Sequence, residues 1–379
     1  MIEIKGVSFQ NKGAELMLRA VLDLLRKFDI KEEIAIAPEY NACMYKDYSR
    51  LGLYQKIWLR YKGIQWGSLG TLIPKKLREL YGLVTDKEID VVLDASGFAY
   101  SDQWGGWATK QMAKSSKKWK KRGKKIILLP QAFGPFNDSK IKKYVKEIID
   151  NSNLIYARDE ISYEYLTSIV GIQEKIKIVP DFTMVIDGVK PQYINDVKNK
   201  VCVVPNKRMI DKVSGESYSK YSELLAKIIR KLQEKEIESF ILIHGGTEDF
   251  GLAKKIIEDS GLEAQIINES DVLVIKGIIG NSLGLIGSRF HSLATAMYCG
   301  KVAIGTGWSH KYNMLYKEFE FEDGIIDLDI TDSQLDRKLA YITDAEMRNQ
   351  LAASFLELTN KQKQHVHNMF EEIADLIKK

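Results

Sequence analysis

The chain has 379 residues, 45% of them apolar and 28% charged. That exceeds one comfortable hydrophobic core, so two domains are expected, and with only 7 prolines and 27 glycines there is little room for a disordered tract. The formal net charge of +5 rests on eight bases between Lys114 and Lys125; without them acids outnumber bases, so the chain is slightly acidic with one basic cluster.

In chain order, short apolar runs alternate with stretches of helical period. The first half offers strands at Ile2–Val7, Glu33–Pro38, Asp90–Ala95, Lys125–Pro130, Leu154–Ala157 and Ile176–Val179. The second offers Lys200–Pro205, Ser239–His244, Ala264–Ile267, Leu283–Gly287 and Val302–Gly305, with Gly324–Leu328 a weaker match. Helices are expected between them at Lys12–Phe28, Ser139–Asn151, Glu160–Val170, Ser217–Lys235 and Glu248–Ser260. Such alternation predicts an α/β fold of parallel sheets wound by right-handed crossovers. Gly188 and Pro191 within Asp187–Asn199 interrupt the pattern. The expected organisation is two Rossmann-like domains facing across a cleft, over residues 1–190 and 198–350. Tyr40–Leu83, aromatic, basic and without clear strands, is expected to be an insertion of about 40–83 in the first domain. The stretch from Ala345 is helical throughout, and its end, 355–379, is expected to pack on that domain.

Cys43, Cys202 and Cys299 are odd in number and far apart, which suits a reducing compartment and gives no zinc spacing. The chain opens on a core-like strand, not a signal segment, and Lys276 and Asn281 break its most apolar stretch, Val272–Gly287. The expectation is a cytoplasmic protein without a transmembrane helix.

In open parallel sheets, ligands bind beyond the carboxyl ends of strands, where helix N-termini offer free N–H groups. The polar residues that follow strands here are Asn11, Ser96, Asp102, Gln131, Arg158, Asp181, Asn206, His244, Arg289, His291 and Lys311. They are rich in cations and contain no triad of carboxylates, which points to an anionic small molecule and to no metal. GxGxxG and GxxxxGK[ST] are absent, so NAD and ATP lack their motifs.

Ser288-Arg289-Phe290-His291 is the sharpest element. Ser288 is expected to cap a helix that buries Phe290, Leu293, Ala294, Met297 and Tyr298, with Arg289 and His291 flanking that face. Arginine binds carboxylate or phosphate through a planar fork, and histidine exchanges protons near neutral pH. Arg158 stands similarly after a strand, either as a ligand contact or in an ion pair with Asp159, Glu160 or Asp181. Lys311, one turn into a helix opened by Ser309, carries less weight. Asp94–Gly105 mixes aromatic and hydrogen-bonding groups, as a sugar site needs; Asp102 is read as functional and Asp94 as a buried carboxylate satisfied by backbone. Lys114–Lys125 is either a solvated helix or, with Trp119 and the aromatic–basic stretch Ile57–Trp66, a dock for anionic membrane. No nucleic-acid motif accompanies the charge.

These residues together resemble the polysaccharide pyruvyl transferase family over most of the chain. The likeness runs through Asn11-x-Gly13, Asp90-Val-Val-Leu-Asp-Ala-Ser-Gly97, Leu129-Pro-Gln131-Ala-Phe-Gly134-Pro135, Ala157-Arg158-Asp159, and His244 with Asp249. It closes on Ser288-Arg289-Phe290-His291-Ser292, the strand Lys301–Gly305, and Lys311. The resemblance implies a glycosyltransferase-B-like fold and transfer of the pyruvyl unit of phosphoenolpyruvate to a sugar as a ketal, in cell-surface polysaccharide or exopolysaccharide biosynthesis. By resemblance His291 is catalytic, Arg158, Arg289 and Lys311 bind phosphoenolpyruvate, and Asn11, Ser96, Asp102 and Gln131 line the acceptor side. No cofactor is implied beyond the donor; the acceptor is a sugar or lipid-linked oligosaccharide. Ala14 stands where the family has an acid, with Glu15 next, and Ser96-Gly97 stands for its Gly-Gly pair. The rival expectations are a nucleotide-sugar glycosyltransferase or epimerase of the same architecture, and a non-catalytic basic protein that binds membrane or nucleic acid.

Overall fold

The structure, a computed structural model, describes residues 1–38, 44–61, 64–211, 217–307 and 310–379. Cys43, Ser309 and part of the stretches 40–83 and 57–66 lie outside the described residues. The chain forms two compact units: Met1–Gln10 with Met17–Phe182 and Gln364–Lys379, and Asn11–Leu16 with Thr183–Lys363.

The first unit is built on strands β1 (Ile2–Lys5), β2 (Ile34–Ile36), β3 (Tyr54–Lys56), β4 (Leu83–Val84), β5 (Val91–Asp94), β6 (Lys125–Gln131), β7 (Leu154–Ala157) and β8 (Ile176–Ile178). They make one sheet in the order β8-β7-β6-β5-β1-β2-β3-β4. The second unit has β9 (Val201–Val204), β10 (Ser239–Leu242), β11 (Gln265–Ile267), β12 (Gly284–Gly287) and β13 (Ala303–Gly305), in the order β11-β10-β9-β12-β13. All pairings in both sheets are parallel. β5, β7, β9 and β12 are buried along their whole length, as strands covered by helices on both faces must be.

Strand order reverses between β1 and β5 in the first sheet and between β9 and β12 in the second. Crossovers leave a sheet in opposite directions at such a point, so the loops beyond its carboxyl ends part and a ligand can enter.

The stretch expected to be an insertion without clear strands contains β3 and β4, which extend the first sheet at its edge. β4 has only two residues, too few to show a period. The weaker candidate at Gly324–Leu328 forms no strand; a turn at Glu322–Gly324 is followed by a single bridge from Ile325 to Gly305.

Ala345–Lys378 is one helix, whose final turns belong to the first unit. Phe370 is buried there, its ring 6.3 Å from Phe28 and 6.4 Å from Phe182. Glu372 accepts a hydrogen bond from the Tyr156 hydroxyl at 2.8 Å and pairs with Lys177 at 2.6 Å. Deleting a buried aromatic ring costs about 3–5 kcal/mol. Phe370→Ala should lower unfolding free energy by about that amount in denaturant titrations; a loss below about 1 kcal/mol would mean that this helix end is not part of the core.

Candidate functional site

At the switch point of the second sheet, β12 ends at Gly287 and only Ser288 and Arg289 separate it from the following helix, Phe290–Tyr298. Ser288 does not cap it. Arg289 holds the N-cap position without a side-chain cap bond. Instead the Ser288 hydroxyl is buried between Tyr221 Oη at 2.7 Å and Thr306 Oγ1 at 2.5 Å, while its carbonyl accepts from Asn206 Nδ2 at 2.8 Å and Tyr312 Oη at 3.0 Å. Burial pushes the Tyr221 phenol up, so it stays protonated within this network. Ser288 is thereby fixed on both sides, and with it the direction in which Arg289 and His291 leave the strand.

Arg289 donates through Nε at 3.1 Å and Nη2 at 2.5 Å to one oxygen of Asp249, whose other oxygen accepts from the Lys207 amide at 3.1 Å. Asp249 is fully buried and the Arg289 side chain is about one-fifth exposed. Gly245 passes so close to this pair that a Cβ there would overlap both the guanidinium and the carboxylate. Gly13 packs on His291 in the same way: a methyl group would overlap the imidazole. Asn11 accepts from the Gly13 amide at 3.0 Å and starts that turn. Lys12 pairs with Glu15 at 2.8 Å and donates to the Ser270 carbonyl at 2.5 Å. Glu15, next to the alanine that departs from the family pattern, is therefore a buried partner of Lys12. The Lys311 ammonium stands 5.4 Å from the Phe290 ring centroid and 5.3 Å from that of Tyr312. Among the described residues no group of three or more His, Cys, Asp or Glu side chains is placed to hold a metal ion.

In the first unit, Arg158 is buried with Nη1 3.7 Å from buried Asp181, one of the three acids expected as its ion-pair partner. Asp94 is buried as expected, but among the described residues its carboxylate accepts from the hydroxyls of Ser96 and of Tyr100 (2.5 Å), not from backbone. Gly6, at φ +77°, lies where any side chain would overlap Ser96, which makes room for serine at the departing position. Asp102 accepts from the Asn137 amide, and its own amide donates to Pro135. Gln131 is fully buried, with Nε2 3.4 Å from the Asp94 carbonyl. Beyond β1 and β5, at the first sheet's switch point, opens a cavity of about 230 Å³. Trp58, Trp107, Ser96, Gln111 and Ser115 line it, with the buried Glu3–Lys56 pair at 2.5 Å.

Against this geometry, the family model for polysaccharide pyruvyl transferase matches residues 11–310. The chain belongs to the polysaccharide pyruvyl transferase family. It is therefore an enzyme, a transferase, and the non-catalytic rival falls. No curated protein matches the chain. Similar solved structures include a glycosyltransferase from Rickettsia africae, with 13% identity, TM-score 0.59, and coverage of 100% of this chain and 98% of that one. HepE of Anabaena, in complex with UDP and glucose, has 12% identity, TM-score 0.59, and coverage of 100% and 99%. UDP-GlcNAc 2-epimerase from Neisseria meningitidis, bound to UDP-GlcNAc, has 10% identity, TM-score 0.60, and coverage of 96% and 99%. At such identities the likeness concerns the fold, which is glycosyltransferase-B-like.

In this family member, sequence reading singled out Arg289, His291 and Gly13, and the second unit brings them together with Lys12. It did not make site residues of Asp249 and His244, although His244-Gly245-Gly246 follows a strand. Burial, then the charges of Arg289, His291 and Lys12, push His244 down to about 3. Unfolded, it titrates near 6.5, so between there and about 3 the unfolded chain binds a proton that the folded one refuses. This contribution to stability is complete above pH 6.5 and is lost as pH falls through that window. The thermal midpoint of His244→Gln should therefore decline less steeply than wild type below pH 6.5; parallel curves would remove His244 from this role.

Proposed function

We propose that the enzyme takes phosphoenolpyruvate and attaches its pyruvyl unit as a ketal to two hydroxyls of a sugar in a cell-surface polysaccharide or its precursor. The observation that carries this reading is the cationic setting at the second sheet's switch point. Arg289 is anchored by Asp249, His291 lies on Gly13, Lys12 is near enough to depress His244, and His244 itself stays neutral. Such a setting suits a donor that bears both a carboxylate and a phosphate. Asp249 occupies the Nε edge of the Arg289 fork, and an arginine has five N–H donors, so the fork retains donors for an anion.

In this reading His291 is the general acid. It gives a proton to the methylene carbon of phosphoenolpyruvate, which becomes the methyl group, and positive charge develops at C2. A sugar hydroxyl attacks C2 and its proton returns to His291. The C2–O bond to phosphate then breaks, phosphate carries off the electron pair, and the second hydroxyl closes the ketal while phosphate takes up its proton. Arg289, with Lys311 as a further cation, holds the anionic groups and offsets the charge.

For the acceptor, the first unit's cavity supports a sugar subsite. Pockets for drug-sized ligands occupy roughly 300–1,000 Å³, so about 230 Å³ suits one sugar ring better than a nucleotide sugar. Indoles offer a face to sugar C–H groups, while Ser96, Gln111 and Ser115 offer hydrogen bonds. The UDP complexes of HepE give the competing reading, in which a nucleotide sugar is the donor.

Arg289→Ala should weaken phosphoenolpyruvate binding in calorimetry by about 10- to 100-fold, as loss of a charge-assisted hydrogen bond implies. His291→Gln should lower kcat by roughly 10²- to 10⁴-fold and change that affinity far less. Equal turnover in wild type and His291→Gln, or binding of UDP in place of phosphoenolpyruvate, would overturn the reading.

A further inference from the structure

Large apolar side chains are exposed unevenly. Among the described residues fifteen stand out as exposed, and eight of these fall between Leu59 and Tyr81. Leu72 and Leu80 are each 79% exposed, Leu59 58% and Leu69 52%. The short helix Lys75–Leu80 is inside out: it buries the charged Arg78 and turns Leu77 and Leu80 to solvent. A soluble surface with no partner would reverse that arrangement, since contiguous exposed apolar patches mark interaction sites.

The charge beside this patch is basic. Arg78 Nη1 donates to Glu88 at 2.6 Å, and two residues away Asp86 accepts from Arg122 at 2.7 Å and lies 3.4 Å from Lys118. The turn Asp86–Glu88 thus ties the inside-out helix to the end of the helix Trp107–Lys120. The expected lysine run is only partly solvated. Trp119 is buried and donates to Asp86, and Lys124 is buried on the carbonyls of Asp86 and Ile89. Lys114, Lys117, Lys120 and Lys121 remain exposed, as do Lys75 and Lys76 within the patch.

We infer that the surface of Leu59 and Trp66–Tyr81, flanked by these lysines, docks on an anionic membrane. The leucines and Trp66 would enter the boundary between headgroups and acyl chains, and the lysines would reach the headgroups. A second copy of the chain suits the surface less well. A two-fold dimer places the same patch on both partners, so one lysine-flanked surface would face another of the same sign. Among the described residues no helix is long and apolar enough to cross a membrane, so this contact would be peripheral and salt-sensitive. The inference does not depend on the donor or the acceptor.

Flotation with vesicles of phosphatidylcholine, alone or mixed with phosphatidylglycerol, tests it. Wild type should bind the mixed vesicles at low salt and leave the neutral ones. Leu72→Ser/Leu80→Ser and Lys117→Glu/Lys121→Glu should each bind at least about tenfold more weakly. Both variants alter exposed side chains, so thermal midpoint and turnover on a soluble acceptor should match wild type. Failure of wild type to bind, equal binding to neutral vesicles, or undiminished binding by the leucine variant would overturn it. So would a dimer in light scattering that the leucine variant dissolves while no vesicle is bound.

Discussion

Asp249 has no exposed surface, so its charge depends on what lies beside it: the Arg289 guanidinium and the Lys207 amide. A buried carboxylate left alone is costly, and breaking such a pair typically costs about 3–5 kcal/mol. The pair therefore fixes one edge of the Arg289 fork. Gly245 is required by the same contact, because any larger residue would displace the guanidinium. A fixed cation next to His244 adds to burial in holding that imidazole neutral. The buried hydroxyls around Ser288 set the direction of the chain just before Arg289. Position, charge and protonation in the second unit thus follow from one buried ion pair and the backbone that lets it close.

The two units carry different chemistry at equivalent places. Each sheet has one point where strand order reverses, and each reversal has polar groups beyond it. In the second unit these are cations around a buried acid; in the first they are indoles and hydroxyls around a cavity. The departure at Ser96 belongs with the cavity. Its hydroxyl is used on Asp94, and the absence of a side chain at Gly6 leaves the space that Ser96 occupies.

Most of the framework was legible in the sequence, because strands buried on both faces are continuous apolar runs that alternate with helices. Ser-Arg-x-His was legible too, since it follows such a strand directly. What escaped depends on contacts distant along the chain. Nothing local pairs Asp249 with Arg289, and Ser288 looks like a cap until Tyr221 and Thr306 are seen to use its hydroxyl. β3 and β4 are short and join the sheet only at its edge, so their residues carry little apolar signal. The lysine run was legible only as charge: composition shows eight bases but not that Asp86 and backbone carbonyls engage several of them.

The central claim is that the anchored Arg289 and His291 receive an anionic donor. A crystal structure with phosphoenolpyruvate bound tests it most directly. The account predicts donor oxygens within hydrogen-bond distance of Arg289, the Arg289–Asp249 pair intact, and the His291 imidazole against the methylene carbon. Phosphoenolpyruvate bound away from Arg289 and His291, or Arg289 released from Asp249 to reach it, would contradict the account.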